Sequence, residues 1–196
     1  MMPASNTSRI EKSWRALRLL AMILVPGPGM VASGYGGHSL RTVEMVDNAG
    51  STSSPTQVLE ITPEVHDQMC ALALAEYPLE ACGLMAGEPG LARITRFFPC
   101  RNIEKSARIY TLDPKDHLRA ERTAEDAGLE IKGVMHSHTH SEAYPSATDV
   151  AAAPDPDWHY LIVTLKREKP EVRSFRIVQE SHDQAITEVR VRVLPG

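Results

Sequence analysis

The chain has 196 residues, enough for one domain of ordinary size with a real core. Hydrophobic residues make up 42% and charged residues 23%, the balance of a soluble globular protein, and a net charge of -4 without a long basic tract argues against nucleic acid as a partner. Cys70, Cys82 and Cys100 are odd in number and lack CxxC spacing, which argues against a disulfide framework and a cysteine-only metal site. They fit a reducing compartment, so the cytoplasm is the expected location, with Cys70 and Cys82 read as small buried hydrophobes.

In chain order, residues 1–57 read apart from the rest. Trp14 to Val25 is apolar with Arg15 and Arg18 in it, and Pro26 to Gly29 breaks it. That stretch is too short to span a bilayer, so no membrane association is expected. It has the basic flank of a secretory leader but no clear small-x-small cleavage site before the folded part. A disordered or non-native extension is the reading, with Asn48 to Thr56 as a linker. The folded domain is expected over 58–196.

Thr62 caps a predicted helix, Pro63 suits its first turn, and Val65, Met69, Leu72 and Ala73 form one apolar stripe. Pro78 ends it. Glu80 to Gly87 reads as a central strand, Ala92 to Phe98 as a second and Ile109 to Leu112 as a third. Asp113 caps a second helix that Gly128 stops. Ile131 to Met135 is a strand running into His136. Tyr160 to Leu165 is nearly all apolar or β-branched, which marks a buried central strand. Val172 to Val178 alternates, and Thr187 to Leu194 alternates as a closing edge. Many strands and two substantial helices predict an α/β sandwich.

The segment that carries chemistry is GVMHSHTHSEAYPSATD, Gly133 to Asp149. On a strand, residues two apart face one way, so His136 and His138 point together and Ser137 points oppositely. Two imidazoles reach one ion at about 2.0–2.1 Å each, and Asp149 can return on the next element as an oxygen ligand. This donor set suits zinc and leaves a fourth tetrahedral position open. Blander readings compete. An isolated HxH is more often a surface or core feature, and Ser146 with Asp149 also matches a helix capping box that needs no metal. His140 offers a different pair with His138.

A second motif decides between them. HSH, seven residues, Ser, two residues and Asp resembles the signature of the JAMM or MPN-type zinc metallopeptidases. His136, Ser137, His138, Ser146 and Asp149 match it. The family's upstream glutamate lies, in prokaryotic members, in a segment of the form YPxEACGxxxG, and this chain has YPLEACGLMAG over Tyr77 to Gly87. The resemblance covers about Ile61 to Val178. It implies an α/β/α sandwich of the JAMM/MPN, cytidine-deaminase-like type, with a central mixed sheet flanked by helices.

The resemblance further implies one zinc ion per chain on His136, His138 and Asp149, and no other cofactor. Glu80 would move the proton from water to the leaving amine, and Ser146 would donate to the developing oxyanion. Ser137 and Ser146 lack a base for nucleophilic attack once both histidines hold the ion. Many members carry Pro after the second histidine, where this chain has Thr139. The form HSHTxxEAYPSxTD is similar to actinobacterial peptidases that free cysteine from the C-terminal Gly-Gly of a ubiquitin-like sulfur-carrier protein. That carrier is the expected partner. An isopeptidase acting on lysine-linked tags is the alternative, followed by a non-catalytic scaffold. His140 is read as lining the cleft mouth, and Glu142 as either touching the substrate amine or facing solvent.

Overall fold

In a computed structural model the chain is described over residues 58–179 and 184–196. The expectations for residues 1–57 lie outside the described residues. Short alternation makes β1, Val58–Ile61, where Leu59 and Ile61 are buried. Helix α1, Pro63–Glu76, follows, with the Val65 N–H donating to Thr62 Oγ1 at 3.4 Å. Its predicted stripe holds: Val65, Met69 and Ala73 are buried, with Leu72 partly so. Truncating the fully buried Met69 to Ala would cost about 2–5 kcal/mol. The helix stops because Pro78 disfavours helical backbone at Tyr77, which is extended; the Tyr77–Pro78 peptide is cis.

The remaining elements are β2 (Cys82–Gly87), β3 (Arg93–Ile94), β4 (Arg96–Cys100), α2 (Pro114–Asp126), β5 (Glu130–His138), α3 (Ala147–Ala152), β6 (His159–Thr164), β7 (Glu171–Gln179) and β8 (Gln184–Val193). Asp113 caps α2 by accepting from the Lys115 and Asp116 N–H groups at 2.8 and 3.2 Å, and Gly128 beyond it takes a φ of 69°. The strands form one mixed sheet in the order β3-β1-β8-β7-β6-β5-β2-β4. β5 and β6 run parallel through Gly133↔His159 to His138↔Thr164, while β2 lies antiparallel to β5 through Cys82↔His136.

Strand alternation sorts the core into two layers. Met85, Met135, Leu161 and Val163 face α1, packing with Val65, Met69 and Ala73. Leu84, Val134, Tyr160 and Ile177 face the other side, with Ala120 of α2 and Val150 of α3. This is the expected α/β/α sandwich.

Four local expectations need correction. The second strand is two: the chain pairs with β1 at Arg93–Ile94, then switches to β2 at Arg96–Cys100. Ile109 to Leu112 is not a strand; only an isolated bridge, Asn102↔Leu112, forms there. The Asn102 carboxamide takes up the backbone groups of Glu104, Ile109 and Thr111 that a ladder would have used. β8 is not an edge, because β1 docks parallel on it; β3 and β4 are the edges. Cys70 sits beside the α1 stripe and is only half-buried, whereas Cys82 and Cys100 are buried; all three are free thiols.

Candidate metal centre

The site forms at the carboxyl end of β5, beside the parallel strand β6, the position where α/β sheets place ligands. The strand's period of two sends His136 and His138 to the α2 and α3 side, and Ser137 to the α1 side. All three are buried. The chain then turns into α3, whose first turn brings Asp149 back. The predicted capping box is present: the Asp149 N–H donates to Ser146 Oγ at 3.2 Å and the Ser146 N–H donates to Asp149 Oδ2 at 2.7 Å. Capping and convergence on the histidines therefore coexist in one carboxylate.

His136 Nε2 lies 3.4 Å from Asp149 Oδ1, His138 Nε2 lies 3.5 Å from Asp149 Oδ2, and the two Nε2 atoms are 3.1 Å apart. A tetrahedral ion about 2.0–2.1 Å from each donor would set them about 3.3–3.4 Å apart. The donor chemistry agrees. Glu142 O can only accept, so the 2.7 Å contact puts the His138 proton on Nδ1 and leaves the Nε2 lone pair facing Asp149. His136 Nδ1 is buried without a hydrogen-bond partner among the described residues. Its ring is instead held by Tyr110, stacked at 4.4 Å between centroids and 17° between planes. These residues could hold a metal ion.

Glu80 precedes β2 rather than lying in it, and it is 5% exposed. Burial pushes its carboxyl up to about 7; nearby His138 pulls it down and Asp149 pushes it up. Burial also raises Asp149, but the His136 and His138 imidazoles outweigh it and hold that carboxyl well below the usual range. Burial lowers His136; at His138 burial lowers too, but Asp149 and the Glu142 carbonyl prevail and raise it. The two carboxyls are thus pushed in opposite directions, Glu80 up by burial and Asp149 down by the imidazoles.

Ser137 contributes in an unforeseen way. Its Oγ accepts from the Ala81 N–H at 2.8 Å, and its N–H donates to Ala81 O at 2.9 Å, tying the residue after Glu80 to β5. Tyr110 and Asn102 were also missed; Asn102 Nδ2 donates to Glu80 O at 2.9 Å. Neither has a periodicity or motif signal. Glu142 faces Lys166 and Arg167 at 2.8 and 2.9 Å, so its carboxylate is engaged by surface cations. His140 is exposed and lines, with Thr139, Leu74, Tyr77, Leu165 and Lys166, an open pocket of about 490 Å³. Thr139 is buried, its Oγ1 2.7 Å from His140 Nδ1.

The family described as prokaryotic homologs of the JAB domain matches residues 62–178. The CysO-cysteine peptidase of Mycobacterium tuberculosis is 42% identical over 138 residues, covering 70% of this chain and 92% of that protein. A desampylase of Haloferax volcanii is 36% identical over 91 residues, 46% of this chain and 66% of that protein. Among solved structures, a protein of Desulfitobacterium hafniense superposes with a TM-score of 0.64 at 30% identity, covering 70% of this chain and 94% of that one.

Proposed function

The chain belongs to the family of prokaryotic homologs of the JAB domain, and from that premise we propose that it is a zinc-dependent peptidase. In this reading it hydrolyses the amide after the C-terminal Gly-Gly of a ubiquitin-like sulfur-carrier protein and releases cysteine. The observation that carries it is the convergence of His136, His138 and Asp149 within 4.8 Å, beside a buried Glu80. The 42% identity to the mycobacterial CysO-cysteine peptidase, over nearly all of that protein, supports the substrate class.

His136, His138 and Asp149 would hold the ion. When bound, zinc supplies Lewis acidity and lowers the pKa of water toward about 7. Glu80, with its carboxyl near 7, accepts a proton from the attacking water and passes it to the leaving amine. Ser146 accepts the Asp149 N–H through Oγ, and its side chain also pairs with the Asp149 carboxylate. In this reading the hydroxyl turns from that carboxylate to donate to a developing oxyanion. Asp149 stays ionised throughout, held by the two imidazoles and the Ser146 N–H.

A Gly-Gly tail offers only backbone, so strand-like pairing would supply its affinity. Work in the cytoplasm accords with three free thiols. Among the described residues no helix is long and apolar enough to cross a membrane.

The test supplies a carrier ending in Gly-Gly-Cys to zinc-loaded and chelator-treated protein and follows free cysteine. Release only by the zinc-loaded form is expected; an intact adduct with fully loaded enzyme would overturn the substrate assignment. The desampylase similarity favours one second reading, an isopeptidase acting on lysine-linked ubiquitin-like tags. Carrier–lysine conjugates in the same assay separate the two.

A further inference from the structure

Asn102 follows β4 and lies outside every motif. Its carboxamide has two donor hydrogens and an oxygen with two lone pairs, and all four are used on backbone. Nδ2 donates to Glu80 O at 2.9 Å and to Ile109 O at 3.1 Å. Oδ1 accepts from the Glu104 and Thr111 N–H groups, both at 3.1 Å. The side chain thus closes the 102–112 loop on itself and fastens it to the peptide that carries Glu80.

The same loop reaches the site at three further points. Ser106 O accepts the Glu80 N–H at 2.8 Å, so the loop grips Glu80 at both its N–H and its C=O. Tyr110 stacks on His136. Ala107 O accepts from Thr139 Oγ1 at 3.4 Å, beside His138. The proton-carrying carboxylate and a ligand imidazole are therefore referenced to one loop, which the Asn102 carboxamide closes together with the Ile103 N–H to Thr111 O and Asp113 N–H to Arg101 O bonds.

We propose that Asn102 is a positioning residue for the reaction: it locks the Glu80 peptide and the Tyr110 loop into one body, so that the Glu80 carboxylate meets the reacting centre in fixed geometry. This rests on the reading of Glu80 as the proton carrier. The shape argues for asparagine in particular. Aspartate keeps both acceptances but cannot make both donations; serine is too short to span four partners.

The test is a double-mutant comparison on the zinc-loaded full chain with the Gly-Gly-Cys carrier, using N102A, E80Q and N102A/E80Q. Displacement of a catalytic group by about 1 Å loses on the order of 100-fold in rate. N102A is expected to lower kcat roughly 10- to 100-fold with KM and zinc content nearly unchanged. Amide exchange at Glu80, Glu104 and Thr111 should quicken. In the E80Q background the same substitution should have little further effect, because the group it positions is gone. Equal slowing in both backgrounds, or a raised KM with unchanged kcat, overturns the positioning role and leaves that of Glu80 standing. Wild-type turnover by E80Q removes both. If N102A does not fold, the near-isosteric N102D carries the same comparison.

Discussion

Glu80→Gln isolates the charge of one buried carboxylate. The side chain is 5% exposed, and burial is the largest cause moving its carboxyl from 4.5 to about 7. At 1.36 kcal/mol per tenfold change in proton affinity, that difference amounts to about 3 kcal/mol. The sign follows from proton binding. Between those two values the folded chain holds the proton and the unfolded chain has released it. Stability is therefore lost as pH rises from about 4.5 to about 7, and the full penalty applies above. Glutamine has nearly the same shape and no charge to desolvate. Metal-free E80Q should match the metal-free parent below about pH 4.5 and exceed it by about 3 kcal/mol near pH 8. Urea denaturation of both proteins after chelator treatment, across that range, reads the difference directly. A gap that does not widen with pH would refute the desolvation argument. The zinc-loaded variant should keep its metal and lose roughly 100- to 10,000-fold in turnover, the usual contribution of a positioned acid–base group. Unchanged turnover would take Glu80 out of the mechanism.

Three further outcomes are expected. Asp149→Ala removes a proposed ligand and the acceptor for the Ser146 N–H, so chelator competition should strip zinc faster and unfolding should lose about 1 kcal/mol. Ser146→Ala removes the observed cap and should lower stability; if the hydroxyl also serves the oxyanion, kcat should fall about 100- to 1,000-fold, and steady-state kinetics beside a melting curve separates the two effects. Gly133→Ala would put a Cβ 1.9 Å from the His159 carbonyl oxygen, which β5 and β6 cannot absorb while paired, so a loss of about 3 kcal/mol or more is expected by chemical denaturation.

The convergence of His136, His138 and Asp149 was legible because each part obeys a local rule. A strand's period of two points His136 and His138 together, and S-x-x-D at a helix start turns Asp149 inward through the cap. The two longer helices, α1 and α2, showed their caps and stops in the same local way. The misread segments fail where a local rule had no purchase. A strand of four residues, Val58–Ile61, is too short to declare itself, and its docking turned β8 from an edge into an interior strand. The Ile109 to Leu112 stretch has β-forming composition, but its backbone partners went to a side chain.

By its own pattern the chain determined the layers, the imidazole pair and the acid that caps α3, since spacing along one element carries all of these. Only the tertiary structure decided that Glu80 is buried with its carboxyl raised, that Ser137 ties Ala81 to β5, that Asn102 bonds the Glu80 carbonyl and that Tyr110 stacks on His136. Those effects depend on desolvation and on contacts between segments as much as 56 residues apart, and such distances leave no periodic trace in a sequence.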